Sequence, residues 1–146
     1  MIIRQANIND LLCVASLFDD YRVFYRKKSD KEGATNFIKD RLEKKDAIIF
    51  IAEEDDLCVG FTQLYPSFSS TKMMKLWVLN DLFVMESRRG EGISKELIEK
   101  SKSLCKQTNA CGILLETETS NTIGNNLYPK TGFHLETNNF YFWSNV

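Results

Sequence analysis

A short segment with two glycines carries the clearest chemical signal in the chain. It runs from Arg88 to Lys95 and reads Arg-Arg-Gly-Glu-Gly-Ile-Ser-Lys, between an apolar strand pattern and a helical pattern. Gly90 and Gly92 allow a tight turn that other residues resist. A helix that begins near Ile93 presents unpaired N–H groups and the positive end of its dipole. The segment therefore predicts a cradle for a phosphate or pyrophosphate.

Two common glycine motifs do not describe this segment. A dinucleotide fingerprint needs G-x-G-x-x-G, but Gly92 is followed by Ile93, Ser94 and Lys95, without a third glycine. The Walker A pattern G-x-x-x-x-G-K-[ST] is also absent from the segment. Neither motif therefore identifies the anion that would bind at this turn.

The composition indicates one ordinary globular domain over residues 1–146. Apolar residues make up 43% of the chain and charged residues 27%, and the net charge of −1 gives no basic footprint for nucleic acid. No apolar run approaches the roughly 18 residues that span a membrane. The N-terminal residues lack a signal-peptide pattern. We therefore expect a cytoplasmic protein with no membrane or nucleic-acid partner.

The cysteines and the single histidine predict neither disulfides nor a metal site. Cys13, Cys58, Cys105 and Cys111 each lie singly in apolar segments, without C-x-x-C spacing. We interpret them as reduced core thiols of a cytosolic protein. His134 is the only histidine, so no metal is expected.

The hydrophobic pattern predicts the element order β-α-α-β-β-β-α-β-α-β-β. This order indicates a mixed, mostly antiparallel α/β sheet of six to seven strands with helices on both faces. The apolar stripe from Leu11 to Tyr25 is typical of a core-facing helix. Pro66 is expected to end a strand in a loop. The predicted strands are 2–6, 47–53, 57–65, 74–85, 110–116, 133–136 and 140–143, and the predicted helices are 11–25, 35–42, 93–108 and 121–130.

Three segments share sequence patterns with one protein superfamily. Arg89 to Ser94 fits [QR]-x-x-G-x-[GA], with Ser94 in place of the last small residue. Residues 121–133 are similar to N-x-x-A-x-x-L-Y-x-x-x-G-F, with Gly124 where alanine is usual. Together these patterns resemble the GCN5-related N-acetyltransferases (GNAT), in which the first is the acetyl-CoA-binding loop. Residues 80–84 resemble the strand before this loop in diamine and other small-amine acetyltransferases. The resemblance implies the acyl-CoA N-acyltransferase fold, whose sheet is splayed into two halves.

The resemblance also implies where acetyl-CoA binds. The cofactor would lie in the cleft between the strand that ends at Val84 and the strand around Leu114. Strand backbone would bind the pantetheine arm, loop amides would bind the pyrophosphate, and the last helix would contact the cofactor from the other side. The implied cofactor-binding residues are Leu82, Phe83, Val84, Arg89, Gly90, Glu91, Gly92, Ile93, Ser94, Lys95 and Asn121.

The implied chemistry is direct attack of a primary amine on the thioester carbonyl. Tyr128 matches the family's general acid and would protonate the departing thiolate. The candidates for the base that deprotonates the amine are Asp81 and Glu116, with Glu53 behind them. Asp81 is alternatively an ammonium anchor or a structural carboxylate at a strand end.

The acceptor is expected to be a small cationic amine such as a polyamine, an amino acid or an aminoglycoside. Tyr25, Asn80 and Asp81 are the candidate substrate-binding residues. Asn80 stands where some diamine acetyltransferases have a second carboxylate, which weakens a polyamine assignment. The alternatives are a protein N-terminus or lysine tail as acceptor, and an acyl-CoA-sensing domain without turnover.

The C-terminal aromatic residues predict an interface. Strand alternation places Phe140 and Phe142 on one face and Tyr141 and Trp143 on the other. Two apolar faces indicate a strand that is sandwiched in a homodimer.

Overall fold

The computed structural model describes residues 1–146. The chain forms two compact units, residues 1–116 and residues 117–146. None of the helices combines the length and apolarity needed to cross a membrane. The elements of the first unit are β1 (Ile2–Gln5), α1 (Leu11–Phe24), α2 (Lys31–Lys44), β2 (Ile48–Glu54), β3 (Leu57–Ser69), β4 (Met74–Val84), α3 (Ile93–Gln107) and β5 (Ile113–Leu114), with 3-10 turns at Ile8–Asp10 and Glu86–Arg88. The second unit contains α4 (Thr122–Lys130).

The sheet has five strands in the order β1-β2-β3-β4-β5. The first four strands pair antiparallel with their neighbours, and β5 runs parallel to β4. The prediction of a mixed, mostly antiparallel α/β sheet is therefore confirmed. The predicted count of six to seven strands was wrong, because residues 133–136 and 140–143 do not form strands. Alternating aromatics predict a strand only when one face is buried, and Tyr141, Phe142 and Trp143 are more than four-fifths exposed.

Helices cover both faces of the sheet, as predicted. On one face Leu17 of α1 and Ile38 of α2 pack with Phe61 and Phe83 of the sheet. On the other face α3 packs with the sheet through Leu97, and this second core cluster includes Phe50, Leu64 and Trp77.

A β-bulge in β4 changes which face its side chains point to. Leu79 is paired with Leu64 and Asp81 is paired with Gln63, so Asn80 is the extra residue. Without the bulge, residues 77, 79, 81 and 83 would share one face. With it, Trp77 and Leu79 join the core beneath α3, whereas Phe83 joins the core beneath α1 and α2. The bulge thereby turns the second half of β4 toward the first two helices.

The predicted break at Pro66 was wrong, since Pro66 lies inside β3 and is paired with Trp77 of β4. Pairing between β2 and β3 ends at Leu64. Beyond that point β3 has no neighbour on the β2 side, and a residue without an N–H costs no ladder hydrogen bond there.

The prediction of four reduced cysteines was wrong for two of them, because Cys13 and Cys58 form a disulfide. Helix α1 packs on β3 and brings their Cα atoms to 6.0 Å, although the residues are 45 positions apart in the chain. This proximity comes from tertiary packing, so sequence spacing could not reveal it. Cys105 and Cys111 are free and partly buried.

Candidate active site

The glycine turn before α3 has the backbone geometry of an anion cradle. Gly90 has a φ of +84° and Gly92 a φ of +83°, in the left-handed region that favours glycine. Gly92 is the N-cap of α3, and no side chain caps the helix. The N–H groups of the first helical turn, from Ile93 onward, are thus left without a side-chain acceptor. A Cβ placed on Gly90 or Gly92 would meet no heavy atom within 4 Å, so the space beside the turn is open.

The negative charge of Glu91 in this turn is partly compensated by Arg88. Arg88 pairs with Glu91 at 2.8 Å and with Glu54 at 2.5 Å. The hydrogen bonds from Arg88 lower the pKa of Glu91. Glu91 therefore faces a guanidinium, which offsets part of its negative charge, because Glu54 shares the same arginine.

Arg89 connects the turn to the rest of the unit through its side chain. Its Nε donates a hydrogen bond to the carbonyl of Val84 at 3.0 Å. Its guanidinium lies over the rings of Phe24 and Phe83, 5.4 and 5.3 Å from their centroids. The side chain of Arg89 is thus engaged with protein groups, and its backbone amide donates to the carbonyl of Glu86 at 3.3 Å.

The sheet opens beside the second half of β4. Pairing between β4 and β5 is limited to Trp77 with Ile113 and Val78 with Leu114. From Leu79 to Val84, β4 keeps β3 as its strand neighbour and has none on the β5 side. Beside Leu82 and Phe83, β4 thus has no strand neighbour on the side where the family resemblance implied a splayed sheet.

Asp81 is the buried carboxyl of this region. It is 2% exposed, it accepts a hydrogen bond from Gln63 Nε2 at 2.5 Å, and it accepts a second one from Asn80 Nδ2 at 3.2 Å. Burial raises the pKa of Asp81, and the hydrogen bonds from Gln63, Asn80 and Tyr21 oppose the shift only in part. A carboxyl with a raised pKa is better suited to accept a proton than an ordinary aspartate. The other end of the Gln63 amide, Oε1, is buried without a hydrogen-bond partner.

A cavity of about 290 Å³ contains Asp81 in its wall. It brings together the three predicted substrate-binding residues, Tyr25, Asn80 and Asp81. Most of the remaining wall is aromatic and comes from α1, α2 and β3. The full lining is Phe18, Tyr21, Arg22, Tyr25, Lys27, Phe37, Tyr65, Asn80 and Asp81.

Tyr21 and Tyr65 are cavity residues that the sequence did not single out for function. Tyr21 donates a hydrogen bond to the Asn80 carbonyl at 3.2 Å, and its ring contacts those of Tyr25 and Phe83. Burial, helped by the charge of Asp81, raises the pKa of Tyr65. The helical stripe indicated only that Tyr21 faces the core. A signal was available, because a buried tyrosine hydroxyl needs a polar partner.

Glu116 is exposed, follows β5, and does not line the cavity. Its predicted role as an alternative base stays a prediction.

In the second unit, Asn121 and Tyr128 are both held by local contacts. Asn121 is the N-cap of α4: its Oδ1 accepts from Gly124 N at 3.1 Å and its Nδ2 donates to Thr117 Oγ1 at 2.9 Å. A Cβ on Gly124 would meet Asn121 Nδ2 at 2.6 Å and Tyr128 Cε2 at 3.2 Å. The glycine at this position, where the family usually has alanine, therefore allows Asn121 and Tyr128 to lie close to the helix backbone. Tyr128 packs edge-on against Phe133, with ring centroids 5.9 Å apart.

The family model of the acetyltransferase (GNAT) family matches residues 14–133. The chain belongs to this family, and it is an N-acetyltransferase of the GNAT class.

Individual relatives agree with this assignment. The chain is 42% identical over 146 residues to the uncharacterized N-acetyltransferase YhfO of Bacillus subtilis, covering 100% of this chain and 98% of that protein. It is 31% identical over 100 residues to streptothricin acetyltransferase of Escherichia coli, covering 68% of this chain and 55% of that protein. A crystal structure of a probable acetyltransferase superposes with a TM-score of 0.92 at 32% identity, covering 100% of this chain and 98% of that one.

Proposed function

We propose that this protein transfers the acetyl group of acetyl-CoA to a small acceptor through a primary amine that is cationic at neutral pH. The observation that carries the proposal is the open, uncapped glycine turn beside the splayed edge of β4. Acetyl-CoA supplies an acetyl thioester, which an amine can attack directly.

The turn would hold the diphosphate of the cosubstrate through main-chain donors. The residues of this cradle are Arg89, Gly90, Glu91, Gly92, Ile93, Ser94 and Lys95. The open β4 edge at Leu82, Phe83 and Val84 would bind the extended pantetheine arm by backbone hydrogen bonds. In the second unit, Asn121 would contribute from α4, although both ends of its amide already have local partners.

Asp81 and Tyr128 would move the protons. Asp81 would accept a proton from the ammonium of the acceptor, and its raised pKa suits that role. Tyr128 would return a proton to the thiolate that leaves. Glu116 is kept as the alternative base, with Tyr25 and Asn80 as walls of the acceptor site.

The small acceptor is supported by the aromatic lining of the cavity and by the likeness to streptothricin acetyltransferase. An acceptor such as a protein N-terminus or a lysine tail would also have to enter a cavity of about 290 Å³. We further propose that residues 1–146 act as one N-acetyltransferase domain, since the family match runs through both units. Cytoplasmic location stays a prediction from the sequence.

The C-terminal segment is proposed as the interface of a homodimer. Its apolar side chains are exposed, although apolar aromatic groups normally prefer burial. The exposed fractions are 65% for Phe140, 91% for Tyr141, 92% for Phe142 and 81% for Trp143.

The proposed function is tested by two measurements on the purified protein. Calorimetry should show heat on titration with coenzyme A, and a thiol-release assay should show amine-dependent consumption of acetyl-CoA across a panel of amines. Heat without turnover would favour the acyl-CoA-sensing alternative. The absence of both would refute the proposal.

A further inference from the structure

The charges around the acceptor cavity point to a narrower class of acceptor, and we infer that the acceptor carries an anionic group in addition to its amine. The inference rests on the proposed function, because it identifies the substrate class for that same cavity. The class is a small zwitterion with an apolar body, whose anionic group is a carboxylate or a phosphate.

The ionisable lining of the cavity is positive overall. Its nine residues include one carboxyl, Asp81, and two side chains that are cationic at neutral pH, Arg22 and Lys27. Asp81 is buried and can balance at most one ammonium group. A second ammonium on the acceptor would therefore find no carboxylate in the wall, and it would meet two cations.

The two cations differ in how much of their charge is already compensated. Arg22 lies 3.7 Å from Asp19 and donates a hydrogen bond to the carbonyl of Lys28 at 3.2 Å. Asp19 itself is outside the cavity lining and is held by Ser29 Oγ at 2.6 Å and by the Asp30 amide at 2.8 Å. Arg22 is thus fixed in place and partly neutralised. Lys27 is exposed and forms no ion pair, so its charge at the cavity is reduced only by solvent and salt.

Charged groups beyond the lining do not reverse this balance. Arg41 and Asp46, which both influence the ionisation of Tyr65, pair with each other at 2.7 Å. An acidic group on the acceptor would therefore enter a favourable potential, and a second basic group an unfavourable one.

The rest of the wall suits an apolar body between the two charged ends. Phe18 and Phe37 stack with centroids 5.4 Å apart, and Tyr21 continues the same row from Phe18. Asn80 is neutral at the position next to Asp81, which leaves the site a single carboxyl for a single amine. The cavity thus combines one buried carboxyl, an aromatic wall and a basic side, a set that matches an amino-acid-like molecule better than a polyamine or an aminoglycoside.

Three amines that differ only at the far end test the inference. In 6-aminohexanoate the far group is anionic, in hexylamine it is absent, and in 1,6-diaminohexane it is cationic. We expect kcat/KM to be highest for 6-aminohexanoate and lowest for the diamine, with steps of about two- to fivefold at low salt, as for single partly exposed charge pairs. The differences should shrink as ionic strength rises. Replacing the carboxylate by a phosphonate in the same series distinguishes the two anion types.

Substitutions at Lys27 supply the matched controls. Lys27→Gln should lower kcat/KM for 6-aminohexanoate and raise it for the diamine, whereas Lys27→Arg should keep the wild-type order. Lys28→Gln makes the same charge change one residue away, outside the cavity lining, and should leave the ranking intact.

The outcomes separate this inference from the proposed function. Turnover with equal rates for the three amines, or with the diamine preferred, overturns the inference and leaves the acetyltransferase proposal standing. If no amine in the series is acetylated, the affinities of the same three molecules are measured by calorimetry, and their order tests the inference. Preferential binding of 6-aminohexanoate then supports the inference without the activity, and its absence overturns the inference.

Discussion

Asp81 is a carboxyl whose surroundings penalise its ionised form. It is buried beside Gln63 and Asn80, and burial raises its pKa. A base must be ionised to accept a proton, so activity that depends on Asp81 should decline as the pH falls through this raised value.

Asp81→Asn is therefore expected to lower kcat/KM by about a hundredfold or more, the usual contribution of a positioned base. It should also change the pH dependence of stability. The folded-state pKa of Asp81 is above its unfolded value, so its stabilising contribution is complete below the unfolded pKa and is lost as the pH rises through the folded pKa. Asparagine cannot ionise, so thermal melting should show the variant gaining stability relative to wild type as the pH rises above the ordinary aspartate range.

A control and a contrary result are available for this prediction. Asp20→Asn removes an exposed carboxylate from the same unit and should change neither profile. A difference in melting temperature between Asp81→Asn and wild type that is independent of pH would contradict the assigned environment of Asp81.

Tyr128→Phe tests the proposed proton donor. The ring packs on Phe133, and phenylalanine keeps this contact while removing the hydroxyl. We expect turnover to fall by about a hundredfold while the affinity for coenzyme A, measured by calorimetry, stays close to wild type. Tyr141→Phe changes an exposed tyrosine in the same unit and serves as the control. An unchanged rate in Tyr128→Phe would remove this residue from the mechanism.

At the scale of elements, the contact between β3 and β4 positions the open edge of β4. A Cβ on Gly60 of β3 would lie 3.0 Å from the Phe83 carbonyl and 3.3 Å from Val84 Cγ2. Gly60→Ala should therefore push β4 outward and destabilise the fold by about 1–3 kcal/mol, as overpacking does. Chemical denaturation measures the loss, and weaker binding of coenzyme A should accompany it.

Gly112→Ala is the matched control for this substitution. Gly112 has no heavy atom within 4 Å of a Cβ and no positive φ. The free energy of unfolding of the Gly112→Ala variant should stay within about 0.5 kcal/mol of wild type, as for a substitution that meets no neighbouring atoms. Equal losses in the two alanine variants would show that the contact with β4 is not the cause.

Several elements could be predicted from sequence because their patterns are local. The two glycines before Ile93 predicted a tight turn, and the amphipathic stripe after it predicted α3. Helix α2 begins at Lys31 and not at the predicted Thr35, because the Asp30 side chain accepts a hydrogen bond from the Gly33 amide and caps the helix. The bulge at Asn80 has no local signature, since it is defined by the pairing of two distant strands.

The acceptor cavity was only partly predictable for a similar reason. Tyr25, Asn80 and Asp81 were singled out one at a time, but the cavity also needs Tyr65 and Phe37 from other elements. Their meeting depends on how α1 and α2 pack over the sheet. The same packing brings Cys13 to Cys58, which spacing alone could not indicate.

At the scale of the whole molecule, the exposed C-terminal aromatics predict self-association. The wild-type protein should elute as a dimer in gel filtration coupled to light scattering, because burying Phe142 and Trp143 removes apolar surface from water. A Phe142→Asp, Trp143→Asp double variant should elute as a monomer. Leu12→Asp, which changes an exposed leucine of α1, is the control and should stay dimeric. A monomeric wild-type protein would contradict the proposed interface.

The pairing of β4 with β5 stops at Val78, and six further residues of β4 continue without a neighbour on that side. Unpaired strand edges attract other extended chains and are a common origin of aggregation. An extended cosubstrate lying along this edge would act as a substitute strand and would stabilise the native state by mass action. The supply of coenzyme A would then determine how long the protein stays dispersed in solution, as well as how fast it works.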